Sequence, residues 1–192
     1  MFLVTGFEPF ISKNGIELEE NPTAQMAVQI ANQHALTDAY TLPVSFARTR
    51  AVFNELLAER KPRYWLGLGF APHRTDVDIE TVALNLEHCL RPDNDGDTPY
   101  MRTSIEGAPL AYQSSFFPEL FQRSFSALGI NAKVSTHAGT FLCNQTFFNG
   151  CHATESAQSL LGAGFIHIPP LADYTDVVYA IVKTFKAIES QS

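Results

Sequence analysis

The chain alternates short, uniformly apolar runs with longer stretches in which apolar residues return every three or four positions. Phe2-Leu3-Val4-Thr5, closed by Gly6, reads as a strand buried on both faces with a turn residue behind it. Asn21-Pro22-Thr23 opens a helix over residues 24–35, with proline near the first turn where its missing N–H costs nothing. Tyr40-Thr41-Leu42 is a strand running into Pro43. Residues 46–60 carry Val52, Phe53, Leu56 and Leu57 at helical spacing, and Lys61-Pro62 stops them. Tyr64-Trp65-Leu66-Gly67-Leu68-Gly69 is a third strand, followed by a loop over 70–74.

The middle of the chain changes character. Residues 77–86 read as an extended strand or hairpin arm, and Arg91-Pro92-Asp93-Asn94-Asp95-Gly96-Asp97 is rich in turn formers. Residues 118–128 form a helix closed by Gly129, with Phe116, Phe117, Phe121 and Phe125 as its core-facing aromatics. Val134-Ser135 is a short strand, a turn follows at Ala138-Gly139, and residues 142–159 are the next helix. Gly164-Phe165-Ile166-His167-Ile168 is a strand ended by Pro169-Pro170. Asp173 caps a last helix in which Val177, Ala180, Ile181 and Phe185 repeat at three or four.

Helices that separate buried strands imply a mostly parallel sheet covered on both faces. With right-handed crossovers this gives an α/β fold, a three-layer α/β/α sandwich, in a single domain over residues 1–192. No linker, internal repeat or long charge run interrupts the pattern. The 192 residues suffice for a full core, and 15 phenylalanines demand one, which excludes a disordered chain. Twenty acidic against 13 basic residues argue against nucleic acid as a partner. No run approaches a membrane span, and the first residues lack the features of a signal peptide. Three cysteines cannot form a closed disulfide framework, so a reduced, cytoplasmic protein is expected.

In sheets of this kind the site lies where strands exit at their carboxyl ends. The unusual residues gather at such exits: 5–10, 69–80, 135–144 and His167. Cys143 follows a Gly-Thr turn at the start of a helix, where the helix dipole and unpaired N–H groups favour a thiolate. His167 closes the next strand and could take the thiol proton and later return one to a leaving amine. Glu80 is one candidate to hold the second imidazole nitrogen. Each residue alone has an ordinary structural explanation, since free cysteines are among the most buried residues. Other chemistries fit less well. Gly67-x-Gly69 has no third glycine in register and meets Pro72, so the dinucleotide fingerprint fails. Metal-binding spacings are absent, and no metal or cofactor is implied; Cys151 and His152 are adjacent on a helix and point about 100° apart. Cys89 and Cys151 are read as structural.

Taken together, these segments resemble the pyroglutamyl peptidase I family of cytosolic cysteine peptidases. The resemblance runs from Leu3-Val4-Thr5-Gly6-Phe7-Glu8-Pro9-Phe10 through Asn21-Pro22-Thr23, Leu42-Pro43-Val44-Ser45-Phe46, Glu80-Thr81-Val82-Ala83-Leu84-Asn85 and Pro92-Asp93-Asn94. It continues with Ala138-Gly139-Thr140-Phe141-Leu142-Cys143-Asn144 and ends at Gly164-Phe165-Ile166-His167-Ile168-Pro169. It implies a Cys143–His167–Glu80 triad that removes an N-terminal 5-oxoprolyl residue from a blocked peptide through a thioacyl enzyme. Phe7 and Phe10 match phenylalanines that flank the lactam ring, and Asn21 and Phe141 fall beside the same pocket. Arg91 would support the developing oxyanion, and a homo-oligomer, a tetramer, is implied as well. The alternatives are a cysteine amidohydrolase of the same fold with another small acyl or lactam specificity, and a binding protein with a relic triad.

The chain also departs from the family pattern. Ile11-Ser12 replaces Gly-Gly and the segment before Asn21 is longer, which suggests a reshaped lid over the ring pocket. Ala71-Pro72-His73-Arg74 replaces Ala-Gly-Gly-Arg, so Pro72 withholds an N–H that glycine would offer, and Phe70 replaces a commonly polar residue. Leu90-Arg91 stands for Arg-Ile. In a strand, that one-residue shift would turn Arg91 away from the site unless the backbone bulged. His137 stands where aspartate is common.

Overall fold

A computed structural model describes residues 1–10, 20–114, 116–156 and 159–191. The expected lid segment, 11–19, lies outside the described residues. Six strands form the central sheet: β1 (Phe2–Phe7), β2 (Thr37–Leu42), β3 (Tyr64–Phe70), β4 (Val77–Glu80), β7 (Ala132–Ser135) and β8 (Gly162–Ile168). Their order is β2-β1-β3-β8-β4-β7. The first four in that order run parallel; β4 runs antiparallel to β8, and β7 parallel to β4. The strands β1 and β8 are buried at every position, as their unbroken apolar runs require of strands covered on both faces.

Period-two alternation sorts the side chains into two cores. On one face Phe2, Val4, Leu66, Leu68, Ile79, Ile166 and Ile168 meet α1 (Pro22–Gln33), α3 (Pro118–Ser126) and α5 (Thr175–Glu189). On the other face Leu3, Trp65, Ala163 and Phe165 meet α2 (Phe46–Arg60) and α4 (Leu142–Ser156). The result is the expected three-layer α/β/α arrangement. No helix among the described residues is long and apolar enough to cross a membrane.

Most element boundaries agree with the sequence reading to within two residues, and the differences have local causes. Helix α1 starts at Pro22 because Asn21 is its N-cap, accepting the Thr23 N–H at 3.1 Å. Phe116 and Phe117 precede α3 rather than belonging to it, with Phe117 in the left-handed region at φ 47°. The carboxylate of Asp173 does take the Thr175 N–H, at 3.0 Å, but from one residue before the cap position.

The stretch 77–86 is neither one strand nor a local hairpin. It divides at Thr81 into β4 and β5 (Val82–Leu84), and β5 pairs antiparallel with β6 (Ala111–Gln113) in a separate two-stranded sheet. Between β5 and β6 the chain makes an irregular excursion over residues 85–110. Polar side chains hold it, together with an isolated bridge in which Glu87 and Arg102 exchange backbone hydrogen bonds at 2.8 and 2.9 Å. Asp93, almost fully buried, accepts the Phe46 N–H at the start of α2 at 2.7 Å and those of Asp95 and Asp97 at 2.9 Å. Asn94 donates to the Pro9 carbonyl at 3.1 Å.

Glu87 is the centre of the excursion. Its carboxylate has no exposed surface and accepts from Arg50, from Arg102 Nε at 2.7 Å, from Ser104 at 2.9 Å and from Gln145 Nε2 at 2.9 Å. Gln145 lies in the first turn of α4, so Glu87 ties the excursion to that helix. Arg50 and Arg102 are partly exposed and can turn toward water, which limits the cost of losing their partner. Glu87→Ala is therefore expected to lower the unfolding free energy by about 2 kcal/mol in urea titration at neutral pH, and a loss below about 0.5 kcal/mol would remove the anchoring role.

Candidate active site

Cys143 is the second residue of α4, and four local devices fix it there. Gly139 makes the preceding turn at φ 81°, a left-handed conformation that glycine adopts without strain. Thr140 is clasped to the excursion: its hydroxyl donates to the His88 carbonyl at 2.7 Å, and its own carbonyl accepts the His88 N–H at 2.9 Å. Asn144 accepts the Leu84 N–H at 2.8 Å and donates to the carbonyls of Leu84 and Leu86 at 2.8 and 2.9 Å. Gln145 spans from the Phe46 carbonyl, at 3.0 Å, to Glu87.

Sheet register brings the other two members of the predicted triad together. His167 of β8 faces Asp78 of β4, and Phe165 faces Glu80. All four side chains project from the same face of the sheet, toward α4, and Glu80 reaches diagonally to His167, its Oε1 lying 2.8 Å from Nδ1. Glu80 therefore arrives on a strand running against the parallel set, not from a shared carboxyl-end exit. Gly69 of β3 completes the geometry. A Cβ at Gly69 would lie 2.9 Å from Cys143 Sγ and 3.0 Å from His167 Cδ2, so thiol and imidazole share the space that a side chain would fill. The Gly67-x-Gly69 pair that failed as a dinucleotide loop is thus a packing device, with Gly67 making the same room for Phe165 and Trp65.

The electrostatics follow from burial. Glu80 is buried, which raises its pKa, but hydrogen bonding and charge attraction from His167, with Ser135 and Arg74 assisting, bring it below the usual carboxylate value. An ionised Glu80 can only accept, so Nδ1 of His167 carries the proton and Nε2 is left as the basic nitrogen. Burial depresses the His167 pKa more than Glu80 raises it, so the imidazole is neutral at neutral pH. Cys143 keeps part of its surface open, yet its packed surroundings push the thiol up to about 12, with Glu80 adding to burial and Arg74 and Arg91 opposing it. The expected thiolate at the helix N-terminus is thus a neutral thiol in the resting site. Desolvation outweighs the dipole.

An apolar pocket opens on the other side of Cys143. Phe7, Phe10, Val44, Phe70, Phe141 and Leu142 line it with Asn21, Arg91 and Cys143. Phe7, Phe10, Asn21, Phe141 and Arg91, named from the sequence, thus line one cavity. The Arg91 guanidinium lies 5.4 Å from the Phe10 ring centre and 5.0 Å from that of Phe141, while Leu90 points outward, 91% exposed. The Leu90-Arg91 order does not turn Arg91 away, because residues 90 and 91 form a bend rather than a strand. Asn21 borders the pocket, but its amide is engaged: Oδ1 accepts from Thr23 N and Thr23 Oγ1, and Nδ2 donates to the Glu8 carbonyl at 3.1 Å.

Several residues at the site went unnoticed in the sequence. Arg74 contacts both Glu80 and Asp78, and Glu87 anchors the start of α4. The signal for Asp78 and Glu80 was present as two acids at period two in a strand whose other residues are Val77 and Ile79. Ala71-Pro72-His73-Arg74 closes as a turn, the Arg74 N–H donating to the Ala71 carbonyl at 3.0 Å. Pro72 occupies a position that needs no N–H and suits its fixed φ. Cys151 is buried in α4 and Cys89 partly buried, and both are free thiols.

The family model for pyroglutamyl peptidase matches residues 1–181 of the chain. A pyrrolidone-carboxylate peptidase of Thermococcus litoralis is 36% identical over 176 residues, covering 89% of this chain and 77% of that protein. One from Pseudomonas fluorescens is 35% identical over 172 residues, covering 89% and 79%. Among solved structures, the pyrrolidone carboxyl peptidase from Thermococcus litoralis aligns with a TM-score of 0.89 at 31% identity, covering 100% of this chain and 96% of that one. A mutant of the Pyrococcus furiosus enzyme aligns with a TM-score of 0.88 at 28% identity, covering 98% of each chain.

A neutral resting thiol has a measurable consequence. With the Cys143 pKa pushed up to about 12, alkylation of Cys143 by iodoacetamide, followed by peptide mass mapping, should rise about tenfold per pH unit from about pH 6 to about pH 9. A rate that is already level below about pH 6 would mean a preformed thiolate–imidazolium pair instead.

Proposed function

The chain belongs to the pyroglutamyl peptidase family, and from that premise we propose that Cys143, His167 and Glu80 carry out the hydrolysis of an N-terminal 5-oxoprolyl residue from a peptide. The observation that carries this reading is the position of Cys143, between a neutral imidazole held by an ionised carboxylate and a pocket walled by aromatic rings. An uncharged lactam ring suits such walls, and the free α-amino group of an ordinary peptide does not. Phe7, Phe10 and Phe141 flank the ring. Asn21 acts chiefly by capping α1 and fixing the Glu8 carbonyl at the pocket edge.

Cys143 Sγ attacks the carbonyl carbon of the 5-oxoprolyl residue as His167 Nε2 takes the thiol proton, so the thiolate forms only as the new bond does. Negative charge develops on the carbonyl oxygen beside the first-turn N–H groups of α4 and the Arg91 guanidinium. The C–N bond breaks, and the amine leaves with the proton held by His167. Water then attacks the thioester, giving its proton to His167, and 5-oxoproline departs as the thiol is restored.

The same reading includes a cytoplasmic setting, in which the three free cysteines stay reduced, and a homo-oligomer, for which exposed Leu90, Tyr100 and Leu110 supply apolar surface. Residues 1–192 act as one catalytic domain. Release of aminomethylcoumarin from its pyroglutamyl amide tests the assignment. Wild type should turn it over, Cys143→Ala should abolish turnover, and Gly69→Ala, which intrudes on both Sγ and the imidazole, should lower kcat by about a hundredfold. An inactive wild type whose Cys143 still alkylates would point to a different acyl group. Silence in both would leave a binding fold.

A further inference from the structure

We propose that Arg74 is a positioning residue of the triad: it holds Glu80 and Asp78 as a matched set and thereby keeps His167 neutral and correctly oriented. The inference rests on the triad reading above but stands on its own contacts. Arg74 Nη1 donates to Glu80 Oε1 at 2.6 Å, the same oxygen that faces His167 Nδ1. It also donates to Asp78, and its Nη2 donates to the His137 carbonyl at 3.2 Å. The turn at Ala71–Arg74 delivers it to this position.

Charge balance makes the contact consequential. Glu80 and Asp78 project from one face of β4, and both are almost wholly buried, at 1% and 4% exposure. Asp78 stands directly across the sheet from His167. Two buried carboxylates beside one imidazole cannot all keep their present protonation without a cation. Arg74 is that cation, with its side chain only 16% exposed. Lys133 of β7 comes within 3.5 Å of Asp78, but it is 56% exposed and also pairs with Asp76, so water screens it. From α4 the facing group is the neutral Cys143 thiol, and from the turn before α4 it is the exposed His137.

Removing Arg74 leaves two negative charges that the site relieves by taking up a proton. The proton goes to His167, whose charged form the two uncompensated carboxylates favour, and the base is lost. The acid limb of the activity profile therefore moves to higher pH. A purely mechanical role, tying the 70–74 loop to β4, would lower activity or stability equally at all pH values.

The test is the pH dependence of kcat/KM on the pyroglutamyl coumarin amide, together with an imidazole NMR titration of His167 in the substrate-free protein, assigned by its absence in His167→Gln. Arg74→Gln should raise both the acid limb and the His167 titration by about one pH unit or more. Arg74→Lys should show little of the shift, and adding Asp78→Asn to Arg74→Gln should bring the titration back toward wild type. Should Arg74→Gln not fold, Asp78→Asn alone should lower the His167 titration. An unmoved His167 titration in the folded variants would overturn the proposal. A wild type inactive on the coumarin amide would defeat the substrate assignment while leaving the titration to decide the role of Arg74.

Discussion

Two buried glutamates govern how this chain can fold. Glu80 and Glu87 are each at or below 1% exposure, and removing a carboxylate from water costs several kcal/mol unless charge and hydrogen bonds replace the solvent. Neither finds all its partners nearby in sequence. Glu80 finds His167 because β4 enters the sheet antiparallel beside β8, in a register that puts residues 78, 80, 165 and 167 on one face. Glu87 needs Arg50 from α2 and Gln145 from α4, and in meeting them it ties the excursion over 85–110 to both helices. The first requirement builds the proposed proton relay and the second holds the helix that carries the proposed nucleophile.

Between them, Cys143 sits on a boundary. On one side are polar groups whose charges compensate each other, and on the other an apolar pocket with a single guanidinium. A helix dipole favours a thiolate at such a terminus, whereas burial, with the Glu80 charge behind it, pushes the thiol up to about 12. In the proposed mechanism, proton removal and carbon–sulfur bond formation accordingly occur together. The depressed pKa of His167 suits that sequence, since the base is already unprotonated when substrate arrives.

The layers and most helix bounds were legible because they depend on local pattern. Unbroken apolar runs mark strands covered on both faces, whereas Cys143, His167 and Glu80 were singled out together only through the family resemblance. What periodicity could not show was pairing across distance. Nothing local says that Val82–Leu84 pairs with Ala111–Gln113, or that β4 reverses direction. Asp78 and Arg74 carried no signal of their own, because their meaning depends on register. Glu87 lacked any motif, and only complete burial reveals its function as an anchor. Ionisation was likewise misjudged, since the dipole is visible in sequence and desolvation is not.

Two departures from the family pattern, at Pro72 and at Arg91, fall where the backbone can absorb them. A one-residue displacement moves a Cα by about 3.8 Å, and in a strand it also reverses the side chain's direction. Arg91 escapes reversal because it lies in a bend, and its long side chain spans the difference. Asp93 and Asn94 pin that bend against α2 and Pro9. Pro72 is tolerated by similar logic, since it enters a turn at a position where no N–H is required. The triad itself has no such latitude. Glu80 and His167 are fixed by a sheet register, and Cys143 and His167 share the space above Gly69, so a shift in any of these strands would separate the proposed nucleophile from its proposed base. Variation in the loops that shape the pocket is therefore compatible with an unchanged proton relay, and the two can be altered independently only as long as Arg74, which belongs to both the loop and the relay, stays in place.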